Sequence, residues 1–216
     1  PSTVSVTVNA APSGVTATAS SNSVCDGIPF DLSSSATANT YETVVLIDPV
    51  AEGGFESGED FTSNGWTTIN AASNFWVLGN LAIGYSGMRS AYISETGSTY
   101  GYNIGALRTS HLYRDVVIPE GATSIALQFS WRGNGESGYD RLLVYTAPTS
   151  VIPVVNIPAS SSTTLSGATL VYTQSNNAQT TFATANVTLP AGLAGTTVRL
   201  IFTWQNDGSY GTSPGI

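Results

Sequence analysis

The chain has 216 residues, a formal net charge of −8, and 41% hydrophobic but only 9% charged residues. All six basic residues are arginine, and the acidic balance would repel a phosphate backbone, which excludes nucleic acid as an expected partner. No apolar run approaches the roughly 18 residues of a membrane span, so no membrane-spanning segment is predicted. Ser, Thr, Gly and Asn fill much of the remainder, a composition typical of short strands joined by polar turns.

The first 45 residues read as short strands interrupted by turns. Val4, Val6 and Val8 alternate with Ser and Thr, the period of a half-buried strand, and residues 10–14 then form a Pro- and Gly-containing linker. We therefore expect residues 1–11 to end a preceding β module and residues 12–45 to form a partial module or linker. Cys25 is the single cysteine and has no partner within the chain. A buried thiol is favoured over half of a disulfide to another molecule.

From residue 43 onward, strand candidates follow one another at regular intervals, separated by clusters of Gly, Asn and Ser. The ten candidates are 43–48, 67–69, 75–78, 91–94, 111–118, 124–131, 141–146, 169–173, 180–189 and 197–204. This number and spacing predict two packed antiparallel sheets. Turns at Pro119 and Pro190, each before an alternating strand, are common in jelly rolls. Residues 46–216 are thus predicted to form an antiparallel jelly-roll β-sandwich, with 156–167 as an exposed loop.

Motifs for catalysis are weak in this sequence. Residues 133–138 match G-x-G-x-x-G, but a predicted strand follows where a dinucleotide site needs a helix, so a hairpin loop is the better interpretation. The single histidine, His111, lies in a strand beside Leu112 and Tyr113 and is interpreted as a packed residue. Zinc motifs and a serine elbow are absent, and the sequence does not give the distance between any two carboxylates. We predict a protein that is not an enzyme.

Two groups of residues could bind ligands. Glu52, Glu56, Glu59 and Asp60 lie in a glycine-rich turn that could bend around a calcium ion, although composition alone favours a solvated acidic loop. The aromatic residues could form a sugar-stacking platform, but Trp76 and Trp131 alternate with apolar neighbours and are predicted to be buried. This leaves one exposed candidate pair, Tyr100 and Tyr102, which flank Gly101 in a loop.

A family resemblance rests on the segment Gly54-Phe55-Glu56, the pair Gly65-Trp66 and the later Asn74-Phe75-Trp76. This pattern resembles the opening of the cleaved-adhesin or choice-of-anchor J domains, which are MAM-like jelly rolls of secreted Bacteroidetes surface proteins. The resemblance continues through 90–94, 139–145 and 202–209, and therefore covers residues 46–216. Residues 15–32, which include the run Val24-Cys25-Asp26-Gly27, resemble the first strands of the immunoglobulin-like repeats that surround such domains.

The resemblance implies a structural calcium ion. Glu56 matches the acid of the family's Phe-Glu pair, Asn70 stands where relatives often place an aspartate, and Asp207 is a further candidate ligand. The family usually closes with an Ile-Asp-x-Ile/Val strand. This chain ends before such residues, so the jelly roll is expected to lack its last strand.

The implied function is a non-catalytic binding or adhesion module of a secreted, multidomain cell-surface protein, exported by type IX secretion. Its expected partners are host or environmental glycans or proteins and neighbouring repeats of the same polypeptide. Two alternatives remain open. The chain could be an accessory carbohydrate-binding or targeting domain of a secreted hydrolase or protease, or a structural spacer in a surface filament.

Overall fold

A computed structural model describes residues 2–9, 16–19, 32–35, 41–82, 84–155, 165–174, 178–211 and 214–216. Apart from a short 3₁₀ turn at Ala191–Leu193, the regular elements of this part of the chain are β-strands. In chain order they are β1 (Ser2–Asn9), β2 (Thr16–Ala19), β3 (Leu32–Ser35), β4 (Tyr41–Val45), β5 (Thr67–Ile69), β6 (Phe75–Gly79), β7 (Ser90–Ser94), β8 (Arg108–Val117), β9 (Ala122–Gly133), β10 (Arg141–Pro148), β11 (Thr169–Gln174), β12 (Gln179–Leu189) and β13 (Thr197–Asn206). Within these residues, no helix has the length and apolar character needed to cross a membrane.

Two antiparallel sheets form a sandwich. The first has the order β12-β9-β1-β4, and the second has the order β11-β10-β13-β8-β5. The pairs β10–β11, β9–β12 and β8–β13 are nested along the chain and alternate between the sheets, which is the winding of a jelly roll. Two smaller hairpins, β2–β3 and β6–β7, accompany them. The predicted all-β sandwich is confirmed.

The main core lies between the two sheets. On β9, the inward residues Ile125, Leu127, Phe129 and Trp131 are buried, while their neighbours in between face outward. They pack in one cluster with residues of the second sheet, including Phe202 on β13. Burying one such side chain contributes about 1.5–3 kcal/mol to stability. The alternating pattern of the sequence therefore marks the inner face of the first sheet correctly.

β1 belongs to the sandwich itself. It pairs with β9 from Ser2↔Phe129 to Val8↔Ala122, and its other edge pairs with β4. Val6 is buried in the main core. The structure therefore places both β1 and β4 in the first sheet, whereas the sequence division assigned them to residues 1–11 and 12–45, outside the sandwich. Alternation identifies a half-buried strand but cannot identify the strand with which it pairs.

The connection between β10 and β11 packs on the outer face of the second sheet through those parts of it that the structure describes. We call its described parts, residues 149–155 and 165–168, the strap. Leu165 of the strap is 3% exposed and packs with Leu143, Tyr145 and Ile201 in a second, smaller core. The prediction of an exposed loop over 156–167 is therefore wrong at Leu165, and residues 156–164 lie outside the described part. An apolar side chain in a polar stretch of sequence can still pack against an apolar surface formed by residues that are distant along the chain.

The N-terminal residues that resemble an immunoglobulin-like repeat are described only in part. β2 pairs with β3 as an isolated antiparallel hairpin, from Thr16↔Ser35 to Ala19↔Leu32. Cys25 and most of the stretch 24–32 lie outside the described residues. The assignment of an immunoglobulin-like fragment and the environment of the thiol therefore stay predictions.

Candidate functional site

A cavity of about 90 Å³ opens from the surface into the main core beside β9. We call it the aromatic pocket. Its inner wall consists of buried rings, and residues at its mouth are partly exposed. The inner rings belong to Trp66, Trp76, Phe129, Trp131 and Phe202, and the mouth contains Tyr85, Arg89, Tyr100, Arg132 and Phe182. The cavity therefore combines an apolar interior with a polar, cationic entrance.

The inner wall is fixed by ring packing and by hydrogen bonds from the indole groups. Phe202 makes edge contacts with Trp66 at 5.9 Å and with Phe129 at 5.1 Å between ring centroids. The indole of Trp66 donates to the backbone oxygen of Glu52 at 3.2 Å, and that of Trp76 donates to the backbone oxygen of Ser110 at 3.1 Å. With both N–H groups satisfied, these rings present apolar faces to the cavity without an unpaired donor.

The mouth is built by the segment before β7 together with β9 and β12. The rings of Tyr85 and Phe182 meet edge to face at 5.4 Å, and the guanidinium of Arg132 lies 4.9 Å from the Phe182 ring centroid. Arg132 also hydrogen-bonds the side chain of Tyr100. Burial raises the pKa of the Tyr100 hydroxyl, and the Arg132 charge offsets only part of that increase. Tyr100 is therefore a neutral hydroxyl at physiological pH.

The second cation of the mouth, Arg89, is held loosely by two carboxylates. Its guanidinium lies 3.7 Å from a Glu56 oxygen and 3.6 Å from a Glu59 oxygen. Both distances exceed that of a short charge-assisted hydrogen bond, and the side chain of Glu59 is 93% exposed. Exposed ion pairs of this kind contribute little stability, because water screens them. Arg89 can therefore exchange its Glu59 contact for another anion at low cost.

The two predicted ligand-binding tyrosines have different environments. Tyr100 lines the aromatic pocket, where its ring packs against Tyr92 at 5.5 Å. Tyr102 is 4% exposed, donates a hydrogen bond to Asp140 Oδ2 at 2.5 Å and packs on Trp204. The expectation of exposure is therefore wrong for Tyr102. Its partners come from the β9–β10 connection and from β13, which the local sequence around Gly101 does not reveal.

The three predicted calcium ligands have three different sets of partners. Glu56 accepts hydrogen bonds from the backbone amides of Met88 and Arg89, at 2.8 and 2.7 Å. The Asn70 side chain accepts a hydrogen bond from the Trp76 amide at 2.9 Å, and Asp207 accepts one from the Ser209 amide. Glu56 thus joins two segments that are distant along the chain, whereas Asn70 and Asp207 each stabilise local structure. In the described part of the chain, no group of three or more His, Cys, Asp and Glu residues is arranged to hold a metal ion.

Asp207 belongs to an acidic cluster at the start of β10. Burial raises the pKa of Asp140 above its usual value, and the Asp207 charge adds to the increase. Burial also raises the pKa of Glu136, as do the charges of Asp207 and Asp140. The Glu136 amide donates to Asp140 Oδ2 at 2.6 Å, and Tyr102 donates to the same oxygen. The sequence highlighted Asp207 but missed these two acids, because Glu136 and Asp140 lie in a stretch that reads as an ordinary turn.

His111 holds the strap. The imidazole is fully buried, with Nδ1 2.8 Å from the Thr203 hydroxyl and Nε2 2.9 Å from the backbone oxygen of Val154. Burial lowers the pKa of the imidazole. Arg199 acts beside it, donating to the Val151 backbone oxygen and to both oxygens of Asp115. The interpretation of His111 as a packed residue is confirmed, and its role is to satisfy a backbone oxygen of the strap.

The glycine-rich stretch 133–138 ends β9 and begins the connection to β10. These two strands lie in different sheets, so the connection crosses from one sheet to the other and is not the predicted hairpin loop. A strand follows it, as predicted. Gly133 is required for packing, because a Cβ atom there would lie 2.6 Å from the backbone oxygen of Gly215.

Comparison with known proteins adds no assignment. No protein-family model matches the chain, and neither a curated protein nor a solved structure matches it. The functional argument therefore rests on the residues and on the geometry of the sandwich.

Proposed function

We propose that the chain is a non-catalytic binding module and that the aromatic pocket is its ligand site. The observation that carries this proposal is a cavity with an apolar aromatic interior and two arginines at its entrance. Pockets that bind small ligands or side chains commonly combine apolar walls with a few convergent polar groups. Tyr, Trp, Phe and Arg are also the residues that contribute most to protein interfaces.

The chemistry of the other polar residues supports binding over catalysis. His111 uses both ring nitrogens to hold Thr203 and the strap, which leaves neither for a substrate. Asp140 and Glu136 have raised pKa values, a property shared with catalytic acids, but Asp140 is covered by Tyr102. The aromatic pocket, by contrast, brings together the exposed ring of Tyr85 and two cations, Arg89 and Arg132.

The biological setting follows from the family resemblance of residues 46–216. We place the module in a secreted, multidomain surface protein, where it contacts host or environmental glycans or proteins and neighbouring repeats of its own polypeptide. The alternative of a carbohydrate-binding accessory domain is favoured by the rings of Tyr85 and Phe182 at the mouth, since sugar rings stack on exposed aromatic faces. A structural spacer would show no saturable binding at all.

A matched pair of tyrosine variants tests the site. Tyr85 is 54% exposed at the pocket, and Tyr139 is 51% exposed elsewhere. Binding of the wild-type chain to arrays of glycans and surface proteins would identify a ligand, whose affinity is then measured for Tyr85→Ala and Tyr139→Ala. We expect at least a tenfold loss for Tyr85→Ala alone. Equal affinities for both variants would move the site away from the pocket, and the absence of any saturable ligand would favour the spacer.

Structural calcium is a second part of the proposal. Glu56, Asn70 and Asp207, the ligands that the resemblance implies, offer the hard oxygen atoms that calcium prefers, and each of them also accepts a backbone hydrogen bond. The test is the melting temperature in millimolar calcium and after chelation, for the wild type and for Asp207→Asn. An ion that binds only the folded state raises the melting temperature. Identical melting with and without calcium would remove the ion from the account.

A further inference from the structure

Only one edge of β7 is fully paired. That edge pairs with β6 along its whole length. On the second edge, the amide of Ile93 donates to the backbone oxygen of Ile216 at 3.0 Å. Residues two apart in a strand direct their backbone groups to the same edge, so the amide and carbonyl of Ala91 also point to this second edge. In the part of the chain that the structure describes, this edge has an isolated bridge between Ser94 and Gly101, and no strand lies beside Ala91.

The aromatic pocket borders this second edge. Its lining contains three consecutive residues of β7, 90–92, and three consecutive residues of β9, 130–132. Successive side chains of a strand point to opposite faces, so a cavity that contacts three residues in a row borders the edge of each strand. Among the described strands, β1 pairs with β9 only as far as Phe129 and leaves this end of β9 uncovered on that side. The pocket is therefore a slot between two strand edges.

Gly215 and Ile216 occupy one end of this slot. The amide of Asn134, directly after β9, donates to the backbone oxygen of Gly215 at 2.6 Å, while Ile216 contacts β7 through Ile93. The Ile216 side chain is 8% exposed and lines the aromatic pocket. The slot thus accepts a polypeptide segment with a branched apolar side chain at this end.

We propose that the ligand of the aromatic pocket is an extended peptide segment of a partner protein, which pairs with β7 at Ala91 and places a Val, Ile or Leu side chain in the cavity. This inference rests on the proposed function, and it specifies the chemistry of the ligand for the same site. Addition of a strand to a sheet edge is a recurring mode of peptide recognition. Backbone hydrogen bonds give affinity, and pockets for alternate side chains give specificity.

Ile216 predicts which residues of the peptide fill the pocket and which pair with β7. Its side chain lines the cavity, and its backbone oxygen points to β7. In an extended segment, residues two apart repeat both directions. The peptide residues whose side chains face the pocket should therefore be the same residues whose amides and carbonyls face Ala91. The residues between them should direct their amides away from β7.

The cavity size and its lining select the side chain. At about 90 Å³ the cavity is smaller than the roughly 150 Å³ apolar cavity that holds benzene, which favours a branched aliphatic side chain over an aromatic ring. The indole N–H groups of Trp66 and Trp76 are already bonded, so a polar side chain would gain no partner from them. Ala91 is half-buried, and a peptide backbone supplies both the acceptor for its amide and the donor for its carbonyl.

A seven-residue peptide with matched N-methylated forms tests the pairing. The parent probe is acetyl-Lys-Thr-Ile-Thr-Ile-Thr-Lys-amide. One form carries N-methyl groups on both Ile residues, and the control carries them on the second and third Thr residues. Each change removes two amide donors and keeps the side chains. By calorimetry we expect at least a tenfold loss of affinity for the Ile form and less than a threefold loss for the Thr form.

The side-chain preference has its own control peptide. Replacement of both Ile residues by Ala keeps every backbone donor but leaves the cavity unfilled, and it should weaken binding at least tenfold. Tyr85→Ala, at the mouth of the pocket, should weaken binding of the parent peptide, and Tyr139→Ala should not.

Hydrogen exchange at single amides reports the pairing from the side of the protein. With the parent peptide bound, exchange of the Ala91 amide should slow at least tenfold, because that amide gains a hydrogen-bond partner. The amides of Ser90 and Tyr92 point to β6 and should change much less. Ala91→Pro removes the donor on the second edge, where proline is tolerated, and should weaken the peptide at least tenfold. Near-ultraviolet circular dichroism confirms that this variant is folded.

The outcomes separate this inference from the proposed function. Equal affinities of the two N-methylated forms would overturn the strand pairing and leave the pocket as a binding site. Slow exchange of the Ala91 amide in the protein alone would mean that its own chain or a second copy fills the slot, and would also overturn the inference. Failure of the parent peptide, when the array screen has found a ligand sensitive to Tyr85→Ala, would overturn the inference alone. Failure of the peptide together with failure of that screen would overturn both.

Discussion

β9 and β13 are central strands of the two sheets, and they are buried in different ways. β9 shows one buried and one exposed face, with alternating burial from Ile125 to Trp131. β13 is buried at every position from Val198 to Asn206, because the main core covers one face and the strap covers the other. An irregular segment can therefore cover a sheet face, provided that side chains such as His111 and Arg199 satisfy the backbone of that segment.

The largest expected effect is a difference in stability between equivalent substitutions in the two cores. Leu127→Ala, in the main core on β9, should lower the free energy of unfolding by about 3–5 kcal/mol, since rigid sheets on both sides cannot close the cavity. Leu165→Ala, under the strap, should cost about 2 kcal/mol, because an irregular segment can move inward. Urea unfolding measures both values. If the Leu165 variant were the less stable of the two, the strap would be as rigid as a sheet.

Arg199 should contribute to the second core through its contacts with the strap. Arg199→Met keeps the apolar stem but removes the donors to Val151 and to Asp115. We expect a loss of about 1–2 kcal/mol, because Asp115 keeps access to water. Hydrogen exchange should show faster exchange around Val151 and unchanged exchange on β9. Equal acceleration of exchange around Val151 and on β9 would mean that the strap does not unfold separately.

The pH dependence of stability should distinguish the strap further. Burial lowers the pKa of His111 in the folded state, so its contribution is fully present above the unfolded value of about 6.5. That contribution is lost as pH falls through the folded pKa, because the unfolded chain then binds the extra proton. His111→Gln should remove this loss while keeping an amide near Val154. The measurement is urea unfolding between pH 5 and 8. Parallel curves for the variant and the wild type would contradict the prediction.

The stability contribution of the acidic cluster should change with pH in the opposite direction from that of His111, and by a smaller amount. The pKa of Asp140 is raised in the folded state, so its stabilising contribution is present below the unfolded value of about 3.9 and is lost as pH rises through the folded pKa. Asp140→Asn should flatten this decline and still accept the hydrogen bond from Tyr102. The same unfolding series, extended to pH 3.5, provides the test. A steeper decline in the variant would show that the carboxylate is stabilised in its charged form.

The predicted strands and the observed strands agree well after residue 67. The sequence pattern located 124–131, and the structure extends that strand to Ala122–Gly133. Segment 197–204 was also predicted as a strand. Its polar residues Arg199 and Thr203 gave no indication that both faces of this strand are buried. The candidate strand 43–48 corresponds to β4, which lies at Tyr41–Val45. The strand ends earlier than predicted because the chain bends after Val45, where Leu46 and Ile47 pack in the core.

The candidate site was less predictable than the fold. Tyr100 was identified, but its pocket neighbours Arg132 and Phe182 come from β9 and β12, which are distant from Tyr100 along the chain. Arg132 could have attracted attention as a charge next to the inward-facing Trp131. Its stacking on Phe182 depends on the register of β9 against β12, which shifts near Gln179. A shift of this kind cannot be read from composition or periodicity.

By itself, the sequence determined the fold class, because alternating apolar residues and frequent turn residues permit few arrangements other than packed β-sheets. It also determined the strongly acidic, lysine-free character of the chain. Tertiary contacts place β1 beside β9, bury Leu165 in a second core while His111 holds the strap, and bring Arg89 and Arg132 to one pocket. The physical reason is that strand pairing and cavity formation depend on contacts between distant residues, whereas periodicity reports only local burial.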